Sequence, residues 1–145
     1  MKPSIAIRQA EAADAAVVAR LCGQLGYEVT LSQVLAHLER HRSEASQCLL
    51  VALLETAVVG WLEVGVRDAV ENGSWAEVSG LVVEASQRGH GVGSALLGAA
   101  RTWAVGQGLK RLRVRTRVER TEAARFYEKN GFRLKKQQRV YDLDL

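Results

Sequence analysis

A glycine-rich stretch, Gln87–Ser94, has the residue types of a phosphate-binding loop. It follows an apolar run, Val78–Val83, and leads into a segment whose apolar residues recur at helical spacing. Glycines at alternate positions let the backbone curl with its N–H groups pointing inward, and a helix that starts there adds unpaired donors and the positive end of its dipole. We therefore predict an anion site formed by Arg88, Gly89, His90, Gly91, Val92, Gly93 and Ser94.

The spacing within this loop distinguishes between the common kinds of phosphate site. A Walker loop ends in Gly-Lys-Ser/Thr, whereas Gly93 is followed directly by Ser94. The dinucleotide fingerprint needs a third glycine where this chain has Ser94 or Leu96, and too little chain follows for a second nucleotide-binding half. An NADP-binding domain is therefore the weaker alternative. The loop has instead the spacing Arg-x-x-Gly-x-Gly, formed by Arg88, Gly91 and Gly93.

Periodicity and turn signals predict the elements that position the loop. Helices are expected at Glu11–Gly26, about 94–106 and Thr121–Asn130. A further helix is expected to run to about His41, with Thr30 or Ser32 as its capping residue. Strands are expected at Ile5–Arg8, Gln47–Leu54, Ala57–Val66, Trp75–Val83, Lys110–Val118, Phe132–Lys135 and Arg139–Leu143. The order β-α-α-β-β-β-α-β-α-β-β predicts an α+β (α/β mixed) fold around one central mixed sheet. The loop then lies at the carboxyl end of a strand, where ligands bind in open sheets.

Length and composition favour one globular domain. The chain has 145 residues, a hydrophobic fraction of 48% and a net charge of +4. No apolar run approaches the roughly 18 residues of a membrane span, and Met1–Ile5 lacks the apolar core of a leader peptide. We expect a cytoplasmic protein without a membrane partner. Cys22 and Cys48 share no motif spacing and are expected to be reduced thiols in the core.

Two further patterns suggest binding functions but do not fit them well. His37 and His41 lie four apart on a predicted helix, yet Leu38 replaces the glutamate of the metalloprotease signature and no third ligand suggests itself, so we expect no metal. Arginines occupy alternate positions from 111 to 117 without interleaved aromatic residues. This favours a solvated sheet face or a dimer contact over a nucleic-acid partner.

A second motif gives the chain a family resemblance. Ala123–Phe132 reads A-x-x-F-Y-E-x-x-G-F and follows the glycine loop after one predicted helix and one predicted strand. In this combination the chain resembles the Gcn5-related N-acetyltransferases (GNAT family). The resemblance implies a single GNAT domain over residues 1–145, with acetyl-CoA as the acetyl donor. It also implies that acetyl-CoA contacts the glycine loop, the strand residues Leu81, Val82 and Val83, and Phe126.

The resemblance also implies roles in the chemistry. Tyr127 would be the general acid that protonates the leaving thiolate, and a backbone N–H of Leu81–Val83 would polarise the thioester carbonyl. Gly80 could loosen the strand pairing just before this segment and leave N–H groups free for the pantetheine arm of the cofactor. Glu77 is the first candidate for the base that deprotonates the acceptor ammonium, and Glu63 is the second. Many family members have asparagine seven residues before the tyrosine, where this chain has Arg120, which could reach a cofactor phosphate or be solvated. No convincing nucleophile is present, so we expect direct transfer in a ternary complex.

The acceptor is the least constrained part of the prediction. A cationic small molecule, like an aminoglycoside or a polyamine, is favoured if acidic residues gather on the acceptor side; the candidates are Glu28, Glu63, Asp68, Glu71 and Glu77. A protein N-terminus or lysine is the alternative acceptor. A non-catalytic acyl-CoA-binding module is the alternative of another class. By analogy with the family we also expect a homodimer.

Overall fold

The computed structural model describes residues 4–145, so the first three residues of the segment used to argue against a leader peptide lie outside it. The chain divides into two compact units, one ending at Val114 and one formed by Arg115–Leu145. None of the helices in the described part of the chain is long and apolar enough to span a membrane.

From residue 4 onward, the N-terminal unit contains one five-stranded sheet and three α-helices. Its strands are β1 (Ile5–Gln9), β2 (Gln47–Leu54), β3 (Ala57–Ala69), β4 (Gly73–Val83) and β5 (Leu112–Val114), and its helices are α1 (Ala15–Gln24), α2 (Leu31–His41) and α3 (Val92–Gly106). The strands are ordered β1-β2-β3-β4-β5, antiparallel except for the parallel β4–β5 pair. The predicted mixed α+β fold around one sheet is therefore confirmed.

Helices cover both faces of the sheet. A Cβ atom on Gly60 of β3 would lie 3.2 Å from Leu96 and Val92 of α3, so α3 packs closely against this face. Trp61, the next residue, points to the opposite face, because side chains alternate along a strand. There it packs against a cluster that includes Val18 of α1 and Val34 of α2.

The start of α2 is fixed by a side-chain cap, and the start of α1 is held by an ion pair to β1. Thr30 accepts a hydrogen bond from the N–H of Gln33, whose side chain bonds back to the N–H of Thr30. This capping box confirms the predicted start of α2. Asp14, buried before α1, accepts two hydrogen bonds from Arg8 of β1 at 2.7 and 3.0 Å. The Arg8 guanidinium holds the pKa of the Asp14 carboxyl below its usual value and ties the helix to the first strand.

An irregularity in β4 sets which residues face α1 and α2. Glu63 of β3 pairs with Gly80, but the next residue, Val64, pairs with Val78, so Ser79 is an extra residue in β4. Such a bulge bends the strand and disrupts the neighbouring ladder. The β4–β5 ladder ends at Val78 and Val114, immediately before the bulge. The predicted strand Lys110–Val118 is therefore wrong in length, because only Leu112–Val114 pair with β4.

The C-terminal unit contains one helix, α4 (Thr121–Lys129), which ends at Asn130 and at Gly131 with φ of +90°. The two final strands predicted at Phe132–Lys135 and Arg139–Leu143 are wrong, because residues 132–145 form neither helix nor strand. Their alternation of apolar and polar residues is typical of a strand, but a strand also needs a neighbour for its backbone. Val140, Tyr141 and Leu143 accordingly remain more than 80% exposed.

Candidate active site

The glycine loop leads directly into α3 and has the backbone of an anion site. Gly89 and Gly91 have φ of +83° and +87°, which residues with a Cβ rarely adopt. Gly91 is the N-cap residue, and the first helical hydrogen bond runs from the N–H of Ala95 to its carbonyl at 3.0 Å. The N–H groups of Val92, Gly93 and Ser94 therefore precede the hydrogen-bonded ladder of the helix and can donate to a ligand.

Side chains around the loop differ in what they can contribute. Arg88 is exposed, and its Nε donates to the carbonyl of Val83 at 3.3 Å, so the guanidinium is held beside the end of β4. His90 and Ser94 are also exposed. Val92 is 1% exposed and packs near Gly60 in the core, so its side chain is not available to a cofactor.

The end of β4 is tied to α1 by polar contacts. Glu84 accepts hydrogen bonds from Arg20 at 3.0 Å and from Gln24 at 2.7 Å. The Arg20 contact, helped by Gln24, lowers the pKa of the Glu84 carboxyl. Gln24 also accepts from the N–H of Ala85 at 2.9 Å. The chain between β4 and the glycine loop is thereby fixed against the first helix.

Leu81, Val82 and Val83, the predicted thioester-binding residues, lie past the bulge. They pair with Leu62, Trp61 and Gly60 of β3 on one side. On the other side, the ladder with β5 has already ended at Val78. A strand edge without a neighbouring strand is the arrangement expected where an extended ligand binds. Gly80 was predicted to loosen the pairing here, whereas the structure places the extra residue at Ser79.

Gly80 has a different role from the predicted one. A Cβ atom at this position would lie 2.6 Å from the ring of Trp61, which is closer than real Cβ contacts come. The glycine is therefore needed so that the indole can lie flat over β4. The Nε1 of Trp61 is buried and has no hydrogen-bond partner of normal geometry within residues 4–145.

Glu77, the first candidate base, is already engaged. The Trp75 indole N–H donates to its Oε1 at 3.2 Å, and Arg67 Nε lies 3.9 Å from its Oε2. Arg113, the register partner of Glu77 in β5, stacks over the Trp75 ring at 4.8 Å. Glu77 thus belongs to a charged cluster at the β3–β4–β5 end of the sheet.

Glu63, the second candidate, bridges three elements. Its Oε1 accepts from the Ser79 hydroxyl at 3.2 Å, and its Oε2 is hydrogen-bonded by Nε2 of His37 on α2. His37 is spaced from His41 as two metal ligands on one helix would be, but His41 contacts Glu44 instead, at 2.9 Å. The pairing of His37 with Glu63 was missed because no local pattern connects residues 26 positions apart.

A pocket of 530 Å³ opens beside this pair. It lies between α1, α2 and the sheet, and its lining includes Glu28, Gln33, His37, Arg40, Trp61 and Glu63. Pockets of roughly 300–1,000 Å³ accommodate a small molecule. Trp61 pairs with Val82 and Glu63 with Gly80, so the floor of the pocket runs alongside the predicted thioester segment.

Neither cysteine is prepared to act as a nucleophile. Both are free and buried, as predicted. Burial raises the pKa of the Cys22 thiol, which lines the pocket, and hydrogen bonding to its own backbone offsets this only in part. Burial also raises the pKa of Cys48. Reactive cysteines have a lowered pKa, so both side chains remain thiols.

Tyr127 lies on α4 in the C-terminal unit. Its ring packs edge-on against Phe126 and Phe132, with ring centroids 5.2 and 5.7 Å apart. Burial raises the pKa of the Tyr127 hydroxyl, and the positive charge of Arg120 offsets part of this rise. Arg120 is the N-cap residue of α4, and its side chain makes no capping hydrogen bond. The hydroxyl thus stays protonated at neutral pH and can donate a proton.

Comparison with known proteins identifies the family. A family model described as "Acetyltransferase (GNAT) family" matches residues 17–132. An aminoglycoside N(6′)-acetyltransferase type 1 of Stenotrophomonas maltophilia is 32% identical over 131 residues, which cover 87% of this chain and 84% of that protein. The chain belongs to the GNAT family of acetyltransferases, which confirms the resemblance. More particularly, it is an acetyl-CoA-dependent N-acetyltransferase.

Solved structures support the same fold. Aminoglycoside N-acetyltransferase AAC(6′)-Iy in complex with CoA has a TM-score of 0.89 at 20% identity, covering 100% of this chain and 98% of that chain. Glucosamine-6-phosphate N-acetyltransferase from Arabidopsis thaliana has a TM-score of 0.82 at 23% identity, covering 97% and 99%. At this identity the likeness concerns the fold alone.

The chemistry of the glycine loop fits the pyrophosphate of acetyl-CoA. The donors are backbone N–H groups at the start of a 15-residue helix and the guanidinium of Arg88, and the segment 87–94 contains no carboxylate. Acetyl-CoA supplies an acetyl thioester with an electrophilic carbonyl. The residues of this chain must hold it, bring the amine to it, and manage two protons.

Proposed function

We infer that this N-acetyltransferase acetylates a primary amine of a cationic small molecule of the aminoglycoside kind, by direct transfer. The observation on which this rests is the 530 Å³ pocket with Glu28 and Glu63 in its lining. Its size suits a small molecule rather than a protein surface. Its two carboxylates outnumber the one cation, Arg40, and attract ammonium groups. The 32% identity to an aminoglycoside N(6′)-acetyltransferase supports the same acceptor class.

Each step of the proposed transfer is assigned to residues of this chain. The N–H groups at the start of α3 and Arg88 anchor the pyrophosphate. Backbone N–H groups of Leu81–Val83 stabilise negative charge on the thioester oxygen. The Tyr127 hydroxyl donates a proton to the leaving thiolate, for which its raised pKa keeps it in the acid form. Transfer is direct because both thiols are buried and protonated.

The test is a pair of aminoglycosides that differ only in carrying an amine or a hydroxyl at the 6′ carbon. Thiol release from acetyl-CoA is expected with the amine, and at least about 100-fold less with the hydroxyl. A lysine-containing peptide and a free protein N-terminus serve as competing acceptors. Faster turnover of either peptide would replace the proposed acceptor, and acetyl-CoA binding without turnover of any amine would favour the non-catalytic module.

We also propose that two copies of the chain associate through residues 132–145. This segment has a strand-like alternation without a strand partner and leaves Val140, Tyr141 and Leu143 exposed. A second copy of the same segment would supply both the backbone partner and the apolar contact. Light scattering should give a dimer mass for the wild type and a monomer mass for Val140→Asp/Leu143→Asp. A monomeric wild type at micromolar concentration would contradict the proposal.

A further inference from the structure

We propose that His37 is a catalytic residue, the group that removes the proton from the acceptor ammonium, with Glu63 and Ser79 as its positioning residues. The proposal rests on the N-acetyltransferase activity and refines the part of the reaction that the acceptor pocket performs. Its basis is a chain of hydrogen bonds across three elements: Ser79 of β4 donates to Glu63 of β3, and Glu63 is bonded by His37 of α2.

The contacts define the state of the imidazole. An ionised carboxylate is an acceptor only, so Nε2 of His37 must carry the hydrogen that binds Glu63 Oε2. In the neutral ring, Nδ1 is then the basic nitrogen. Ser79 occupies Oε1 of the same carboxylate, which fixes the orientation of Glu63 and so of the ring. A base oriented by a carboxylate is the arrangement that activates proton transfer in many unrelated enzymes.

The position of the pair suits an incoming amine. Both residues line the 530 Å³ pocket, and both are only partly exposed, at 34% for the His37 side chain and 19% for Glu63. Glu63 pairs in register with Gly80, one residue before the predicted thioester segment. The other charged groups around the pair are Glu28 and Arg40 in the pocket lining and His41 one turn along α2, whose ring lies 4.6 Å away.

Glu77, by contrast, is less available for this role. Its two oxygens contact the Trp75 indole and the Arg67 guanidinium, and Glu77 is not among the residues that line the pocket. Glu77 is therefore better suited to holding the strand ends or the charge of a bound acceptor.

The acceptor transfers a proton to His37 before its nitrogen attacks the thioester. One N–H bond of the acceptor ammonium breaks, and the proton binds Nδ1 of His37, so the net charge of the His37–Glu63 pair goes from −1 to 0. The nitrogen lone pair forms the C–N bond to the acetyl carbon while the C–S bond breaks. The thiolate takes up one proton from Tyr127, which recovers it from the attacking nitrogen. The products are the amide, the thiol and one proton, which leaves His37 to solvent.

The test is the pH dependence of kcat/KM for His37→Gln, measured with the primary amine that the wild-type protein acetylates fastest. At pH 7 we expect a loss of about 100-fold. The variant must capture the rare neutral amine from solution, so its kcat/KM should rise about tenfold per pH unit between pH 7 and 9, whereas the wild-type profile is flatter. A loss that is the same at every pH, or no loss, would overturn the proposal.

The controls separate chemistry from folding and from the choice of acceptor. His41→Gln removes the neighbouring histidine of the same helix, which bonds Glu44 and is outside the pocket lining, and should leave the profile unchanged. Acetyl-CoA affinity and Tm should stay at the wild-type values in His37→Gln. Glu63→Gln should show the same steep profile, and the double variant should lose no more than the worse single one, since the residues act as a unit. Failure of aminoglycosides as acceptors would overturn the proposed substrate class but leave this test intact.

Discussion

Two regions of the N-terminal unit that flank β4 are built in opposite ways. We expect the glycine loop to bind its ligand with backbone N–H groups, all within residues 87–94, and its geometry is set by glycine conformations. The pocket proposed for the acceptor is lined by side chains from separate helices and strands, and its central contacts join residues 26 and 16 positions apart. The first region can therefore be recognised from a short sequence, whereas the second exists only once the sheet and α2 have assembled.

The difference has a functional consequence. A site made of backbone groups tolerates many side chains as long as φ is preserved, so it can serve one cofactor across a whole family. A site made of side chains changes its preference with each substitution. Variants on the two sides should accordingly affect different kinetic constants, and four substitutions test this separation.

Tyr127→Phe should have the largest effect and change neither binding constant. Loss of the hydroxyl removes the proton donor, so kcat should fall about 100-fold, with acetyl-CoA affinity and acceptor KM within about twofold of wild type. Because the pKa of Tyr127 is raised, the wild-type kcat should show no loss from its ionisation below about pH 10. Stopped-flow thiol release measures kcat, and a wild-type rate in this variant would remove the acid role.

Gly91→Ala should weaken acetyl-CoA binding about tenfold while acceptor KM stays unchanged. At φ of +87° an alanine costs about 1–2 kcal/mol, so the loop relaxes from the conformation that presents its N–H groups. Calorimetric titration gives the affinity. Gly98→Ala in α3 is the matched control, because its Cβ would meet open space in regular helix and should leave binding unaffected. Equal effects of both substitutions would contradict the backbone account of the loop.

Gly80→Ala should affect the acceptor and not the cofactor. We expect it to raise the acceptor KM about fivefold with little change in acetyl-CoA affinity. The new Cβ would lie 2.6 Å from the Trp61 ring, so the indole must move into the pocket that it lines. The acceptor KM is measured by steady-state kinetics in which the acceptor concentration is varied at saturating acetyl-CoA. Gly23→Ala on α1, which meets no atom within 4 Å, serves as the control. An unchanged KM would show that the Trp61 ring does not bound the acceptor site.

Glu28→Gln should have the smallest effect, a rise of about threefold in the KM of a polycationic acceptor. Glu28 lines the pocket and contributes attraction at a distance, which salt screens, so the difference from wild type should shrink at high ionic strength. Glu39→Gln, on α2 and paired with Arg42 at an exposed site, should leave KM unchanged. A rise that is insensitive to salt would indicate a direct hydrogen bond instead.

Local signals explain what could be predicted from the sequence. The predicted bounds of β2, Gln47–Leu54, match the structure, because a continuous apolar run is typical of a buried strand. The start of α2 followed from its capping residue Thr30, and the glycine loop from its spacing. The family resemblance, which rests on two short motifs, predicted the enzyme class and the acetyl donor.

What could not be predicted depends on contacts between distant residues. Alternation suggested long or additional strands at 110–118 and 132–143, but strand length depends on a partner, and the β4–β5 ladder covers three residue pairs. His37 gave no signal beyond its spacing from His41, because its partner lies on another element. The role of Gly80 likewise depends on the position of the Trp61 ring, which no local pattern contains.

Ser79 makes the number of residues in β4 as important as their identity. Glu77 lies opposite Gly65, and Gly80 lies opposite Glu63, so both project from the side of the sheet that faces α1 and α2. The two are three positions apart, an odd number, which in an uninterrupted strand would place them on opposite sides. Deleting Ser79 would leave them two positions apart, which in a regular strand keeps both on the same side, so Glu77 and Trp75 would keep their orientation while the bulge disappeared. The extra residue therefore serves the Glu63 carboxylate, because it brings a hydroxyl to that side chain without turning over the rest of the strand.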